Sequence, residues 1–492
     1  MTAIDHGAPP TAAPPAPNGI EANGLNVIAE SERKGRARDL FWPWFGANVS
    51  VLGLSYGSVI LGFGITFAQA TLVALIGIVL SFALCGVVAL AGRRGSAPTM
   101  LLSRAAFGVD GNRLAALISW VLLVGWETAL TSLAVLATST VFTELGIDLG
   151  PFTKIAALVV VAALTVGGGI AGFDAIMRMQ RWITVITGVL TVVYIALTAG
   201  SIDLGAVAKL PSGDATALIG ALVFVMTGFG LGWVNAAADY SRYLPRSTRG
   251  GGVFGWTTFG GAVAPIVLVV FGLLLAGSSP KLSSAIAADP IGALTSLLPT
   301  WFLVPFAIVA ILGLVGGSVL NIYSSGLALL SAGVRVPRFV AAGIDGVLVV
   351  AGTIYVAFAA PDFVGPFQAF LITLGVPIAA WCGVFIGDVV LRRKAYADAE
   401  LLDPRGRYGS IRPSAVLLVI VGTVLGWGLV VNGTAGFTWQ GYLLGPLGGR
   451  EGAWAYANLG VLLALVLGFV GTLVLTRGTV RRQEALPLPE AR

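Results

Sequence analysis

One apolar run that begins as a membrane helix and loses its regularity halfway constrains this chain more than any other feature. Residues 220–245, GALVFVMTGFGLGWVNAAADYSRYLP, place Gly228, Gly230 and Gly232 mid-run and finish in an Asp-Tyr-Ser-Arg-Tyr element. Freed peptide groups are costly in hydrocarbon, so unwound backbone at membrane depth persists only where protein buries it or where it lines a polar cavity. The break is therefore read as the mark of a ligand site near the bilayer midplane.

Composition sets the class around that break. Of 492 residues, 57% are apolar and only 11% charged, against about 25% charged in a soluble domain. Twelve apolar runs of bilayer-spanning length, roughly 20 residues each, can be marked between Trp44 and Thr476. The reading is an all-α polytopic membrane protein with one transmembrane domain over residues 39–476. A Pro/Ala/Gly/Asn-rich segment at 1–38 is expected as a disordered tail, and 477–492 as a short basic one. The opening MTAIDHGAPP has neither a basic n-region nor an apolar h-region, so the first span is expected to direct insertion.

Charge placement gives an orientation. With an N-terminus in the cytoplasm, 25 of the 29 Lys and Arg residues fall on the inner side and only Lys154, Lys209, Lys281 and Arg450 on the outer. This asymmetry predicts both termini in the cytoplasm of a multi-pass protein of the cell membrane. It also accounts for the formal charge of +6 by the lipid bilayer alone, without a nucleic-acid partner.

Enzyme chemistry is poorly served. Cys85 and Cys382 both lie in apolar spans and His6, in the tail, is the single histidine, so no metal-ligand set or Cys-His pair can be assembled. No Walker-type loop is present. No cofactor and no metal are expected.

A second interrupted span, FGANVSVLGLSYGSVILGFG, carries Asn48, Ser50, Gly53, Ser55, Gly57 and Ser58 through its middle. It is the first span and the opening feature is the sixth, so the two cross in opposite senses, as in an inverted repeat with a broken helix leading each half. Small residues also mediate close helix packing, and for Gly57 and Gly62 that reading stands beside the first.

Four segments then point to a family. AADYSRYLP at 237–245, VGW at 124–126, NIYSSGL at 321–327 and FVGPFQAFLITLGVPIAAWCGVFIGD at 363–388 resemble the nucleobase-cation symporter family, in its purine-cytosine permease branch. The resemblance runs from about Trp42 to Lys394. It implies a leucine-transporter-like fold: repeat one at about 42–200, repeat two at about 215–394, two further helices at about 412–476, and substrate held between spans one, three, six and eight.

The candidate site follows from residue chemistry and from this resemblance. Trp126 and Trp233 match stacking positions of the family, and a flat ring between two indoles gains about 1–3 kcal/mol per face; core packing is the alternative role for each. Most other tryptophans, Trp42 and Trp44 among them, are expected as interfacial anchors. Backbone around Phe229, Gly230 and Gly232 would meet the edges of the ring. Ser318 falls where cytosine-transporting relatives carry a substrate-contacting Asn, and Asn321 is either a ligand contact or a tie between helices. Sodium-coupled relatives carry hydroxyls where this chain has Gly316 and Gly317, which weakens a sodium site.

Glu127 is an ionisable residue inside the third span, and such residues mark ion pathways or substrate contacts by default. It is the candidate proton carrier or base-binding group, with a structural carboxyl as the alternative. Asp239 and Arg242, spaced i to i+3, suit an ion pair at the cytoplasmic end of the sixth span or a gate. Asp174 and Asp345 remain unassigned. The chain is thus expected to be a secondary-active importer of a nucleobase such as cytosine or a purine, coupled to H⁺ in preference to Na⁺. A carrier of another small heterocycle, vitamin or amino acid on the same fold is the alternative, and a channel the rival of a different class.

Overall fold

The computed structural model describes residues 20–147, 150–360 and 364–487. Its helices are α1 (Phe41–Asn48), α2 (Val51–Leu61), α3 (Phe67–Gly95), α4 (Asn112–Glu144), α5 (Pro151–Ala171), α6 (Phe173–Thr198) and α7 (Ala215–Gly228). After a non-helical Phe229 and short helical turns over Gly230–Ser241 come α8 (Gly250–Ser278), α9 (Leu303–Ala332), α10 (Arg338–Ile354), α11 (Val364–Leu391), α12 (Pro413–Trp427), α13 (Leu459–Leu475) and α14 (Arg477–Ala485). Among the described residues nine helices are long and apolar enough to cross a membrane, or eleven when two sharply bent pairs each count as one span. α12, at 15 residues, is shorter than the expected span.

Both expected interruptions are present, each with its own geometry. α1 and α2 meet at 64°, with Val49 and Ser50 out of the helical region and the Ser50 hydroxyl capping the Leu52 amide at 3.2 Å. The break falls at these residues, Ser50 being one of those singled out in the sequence, and upstream of Gly53 and Gly57. Gly53 and Gly57 lie within α2 and serve packing: a Cβ at Gly57 would stand 2.3 Å from the Gly272 carbonyl carbon, and one at Gly272 would stand 2.1 Å from the Leu54 carbonyl oxygen. α2 and α8 therefore touch backbone to backbone.

In the sixth span one residue leaves the helix. Phe229, with φ −116° and ψ −107°, sits between Gly228 and Gly230. Gly230 then lies flat against α3, where its amide donates to Ser81 Oγ at 3.1 Å and its carbonyl accepts from Cys85 Sγ at 3.1 Å. A side chain there would collide with the Ser81 carbonyl carbon at 2.2 Å.

The expected disordered tail needs correction over its described part; residues 1–19 lie outside the described residues. Ile28 is fully buried and its amide bonds the Ser96 carbonyl at 2.8 Å, while the Lys34 amide bonds the Tyr243 carbonyl at 2.7 Å. Residues 20–38 form a strap across the helix ends. Its composition is poor in apolar residues because polar contacts, more than hydrophobic burial, hold it.

The contact at Gly57 gives a direct test. Gly57→Ala drives a methyl into backbone that cannot rotate aside, and such overpacking costs about 1–3 kcal/mol. Thermal unfolding in detergent should show a lowered midpoint for this variant and none for Gly251→Ala, whose added Cβ would meet nothing within 4 Å.

Candidate functional site

The two interruptions converge on one small cavity. About 40 Å³ in volume, it is lined by Asn48, Ser50 and Tyr56 from the first span, Trp126 and Leu130 from α4, and Gly228, Phe229 and Trp233 from the sixth. That space suits one or a few waters, so a planar ring would enter only as these side chains part. A larger cavity of about 910 Å³ lies nearby, lined by residues that include Phe63, Phe224, Thr227, Gln368 and Tyr456. Tyr56, which lines the small cavity, packs edge-on against Phe224, which lines the large one (centroids 5.2 Å apart), and against Phe229 (4.9 Å). Its hydroxyl reaches the Gly228 carbonyl at 3.4 Å.

Trp126, Trp233 and Phe229 are thus brought together as expected from sequence. Trp126 lies over Gly232, whose Cβ would meet the indole Nε1 at 2.9 Å, and packs edge-on against Phe367 and Phe370. Its Nε1 is buried and makes no hydrogen bond among the described residues. Trp233 meets Trp44 at 5.9 Å, nearly perpendicular. Trp44, expected at the interface, is fully buried because α1 runs under the sixth span; a tryptophan at a span's start gives no sign of this.

Other expectations are redirected. Gly230 and Gly232 do not line the cavity: Gly230 is bonded to α3, and the Gly232 amide turns back to the Phe229 carbonyl at 3.0 Å. Ser318 pairs with Thr131 Oγ1 at 3.0 Å, tying α9 to α4. Asn321 donates to the Gly317 carbonyl of its own helix at 3.1 Å, so it ties no two helices, and its Oδ1 has no partner among the described residues. Neither residue lines the cavity. Between α1 and α9 a residue not singled out from sequence appears: fully buried Gln180 of α6 donates to the Gly316 carbonyl at 2.7 Å.

Glu127 follows Trp126 on α4 but its side chain does not line the cavity. It is fully buried, and both carboxyl oxygens make no hydrogen bond among the described residues. Its surroundings include Asp345 of α10 and Ser325 of α9. Asp345 is itself anchored, accepting from Trp120 Nε1 at 2.7 Å and from Ser325 Oγ at 2.8 Å.

The expected Asp239–Arg242 ion pair is not made. Asp239 accepts from the Thr99 amide and hydroxyl at 2.7 and 2.9 Å. Arg242, fully buried, pairs instead with Glu21 of the strap at 2.9 Å. Glu21 also accepts from the Tyr243 and Tyr323 hydroxyls and from the Phe173 amide at 2.6 Å, so one carboxylate joins the strap to α6, α9 and the end of the sixth span. Asp174 pairs at the surface with Lys34. Among the described residues no group of three His, Cys, Asp or Glu side chains could hold a metal ion.

Comparison with known proteins places this geometry. Residues 27–445 match the family described as permeases for cytosine/purines, uracil, thiamine and allantoin. The chain belongs to that permease family. It is a membrane permease and not an enzyme. YxlA of Bacillus subtilis (strain 168), a relative assigned the name purine-cytosine permease, is 24% identical over 472 residues, 92% of this chain and 95% of its own. The purine-cytosine permease FCY2 of Saccharomyces cerevisiae is 24% identical over 272 residues, 54% of this chain and 48% of its own. Among solved structures, MHP1, a nucleobase-cation-symport-1 family transporter in a closed conformation with bromovinylhydantoin bound, superposes with a TM-score of 0.67 at 16% identity, covering 96% of this chain and 99% of its own. Its inward-facing conformation gives 0.64. The all-α polytopic membrane fold is thus shared with that transporter.

Removing the strap carboxylate should expose what it holds. Glu21→Ala leaves the Arg242 guanidinium buried and unpaired, a change that costs about 3–5 kcal/mol where a buried pair is broken. A marked fall in the thermal unfolding midpoint is expected, and an unchanged midpoint would remove the latch role of this contact.

Proposed function

We propose that this permease is a secondary-active importer of a nucleobase, cytosine or a purine, coupled to H⁺ and working by alternating access about the interrupted first and sixth spans. The observation that carries the reading is the cavity where both interruptions meet, with Trp126 and Trp233 in its wall and the Trp126 indole N–H making no hydrogen bond among the described residues. A buried donor left without an acceptor costs about 1–3 kcal/mol, and the carbonyl or ring nitrogen of a base would relieve it. The two indoles supply stacking faces, while Asn48, Ser50 and the Gly228 carbonyl offer polar groups to the ring edge. Twelve spans, with the short α12 and the bent α13–α14 pair completing the set, and both termini in the cytoplasm, agree with the distribution of arginines.

Coupling to H⁺ is supported by two features. Glu127 is a fully buried carboxyl whose oxygens make no hydrogen bond among the described residues. Its proton would come and go as access alternates, one residue from the ring-binding indole. Around the gap between α1 and α9, by contrast, Gly316 and Gly317 bring no hydroxyls and the Gln180 amide already donates to the Gly316 carbonyl. Hard cations seek several oxygen ligands; the gap presents the Gly46 and Ala47 carbonyls and Gln180 Oε1, with no hydroxyl from positions 316 and 317.

The test is uptake of labelled cytosine, adenine, guanine and hydantoin in proteoliposomes, first under a pH gradient alone and then under a sodium gradient alone. Accumulation of a base under the pH gradient is expected; accumulation of none under either would sink the reading. Trp126→Ala and Trp233→Ala should each weaken binding by about 1–3 kcal/mol, roughly five- to 150-fold. Glu127→Gln should abolish pH-driven accumulation while counterflow exchange persists, and accumulation equal to that of the unaltered protein would remove Glu127 from coupling.

A further inference from the structure

Beneath the strap lies a second cavity that the transport reading does not use. About 620 Å³ in volume, it is walled by strap residues Ala22–Asn26, by the end of α9 through Gly333, by the start of α10 at Pro337 and Arg338, and by residues flanking α4. Arg104, Arg113, Arg335 and Arg338 line it, and no Asp or Glu does. Asp110 pairs with Arg113 and Glu21 with Arg242, so among the described residues Arg104, Arg335 and Arg338 have no carboxylate partner.

The inner-side arginines of a membrane protein ordinarily extend to water and lipid headgroups. Arg104 and Arg338 do the opposite, being 8% and 2% exposed. Arg338 caps the end of α5 by donating to the Gly169 and Ile170 carbonyls, and Arg104 donates to the Leu401 carbonyl at 3.2 Å. The Nε–H of each has no acceptor among the described residues. Burial first, and Arg113 second, pull the Arg104 guanidinium down to about 10. That is the signature of a buried cation short of a counter-charge. The start of α10 adds its uncapped amides and the positive end of its dipole on the same side.

We propose that this cavity is a binding site for a phosphate-bearing anion, held by Arg104, Arg335 and Arg338 beneath the N-terminal strap. Guanidinium groups with backbone amides at a helix start match phosphate oxygens in charge and donor geometry. Because strap backbone from Ala22 to Asn26 forms one wall, an anion here joins the strap to the α9–α10 connection, next to the Glu21–Arg242 pair. Occupancy therefore stabilises the docked strap. The phosphate could be that of a soluble compound or of a lipid headgroup, and the test separates the two.

The purified full chain in an uncharged detergent is titrated with sodium pyrophosphate while thermal unfolding is followed. In parallel it is unfolded in nanodiscs of phosphatidylcholine with and without phosphatidylglycerol. A saturable rise in midpoint with pyrophosphate assigns a soluble phosphate, and a rise with phosphatidylglycerol alone assigns the headgroup. In Arg104→Gln and Arg335→Gln the half-saturating concentration of the active anion should rise at least tenfold, whereas Arg249→Gln, in another cytoplasmic-side loop, should match the unaltered protein. Arg335 is exposed, so its variant keeps the test decisive if Arg104→Gln does not fold. No response to either anion, or an equal loss in Arg249→Gln, overturns the proposal.

Discussion

No peptide group in a bilayer core can stay unpaired without a cost of several kcal/mol, and the architecture is organised around meeting that demand at two places. At the first, Ser50 turns its own hydroxyl back to cap α2. At the second, the sixth span gives up helicity at Phe229 and Gly230 hands its amide and carbonyl to Ser81 and Cys85 of α3. Glycine is required at 230 because the peptide must lie against another backbone to find those partners. Most of the irregular backbone is thereby spent on holding the break in place, and little is left over for a ligand.

The division of labour on α4 follows from helical rotation. Adjacent residues on a helix point about 100° apart, so Trp126 can face the cavity while Glu127 faces α9 and α10. In the proposed mechanism a ring and a proton would thus be handled by one turn of helix without sharing a surface. The same rotation explains why Ser318 and Asn321, three residues apart on α9, both turn away from the cavity. One packs on Thr131 and the other bonds its own helix.

How much was legible in the sequence divides along the same physical line. Hydropathy located both spans, with glycine placement marking the sixth's interruption and Asn48 and Ser50 the first's, and the tryptophan positions agreed with the wall of the cavity. Properties set by distant partners were not legible. Nothing near Arg242 announces that its counterion lies 221 residues earlier in a polar stretch, and the nearby Asp239 was the natural but incorrect choice. The strap lacks apolar periodicity, so composition marked it as unstructured. Trp44 looks like any interfacial tryptophan until α1 is seen to pass beneath Trp233. Gln180 carries no local signal because its role arises only where α1 and α9 approach.

The strap also bears on biogenesis. Glu21 is made early, yet its partners are Phe173, Arg242, Tyr243 and Tyr323, the last synthesised some 300 residues later. During N-to-C synthesis this carboxylate must wait, unsatisfied, until helices from both halves of the chain have been inserted and packed. The contact that ties the strap to both halves of the chain is therefore a completion step, reached by a nascent permease only after its eighth span has emerged and docked.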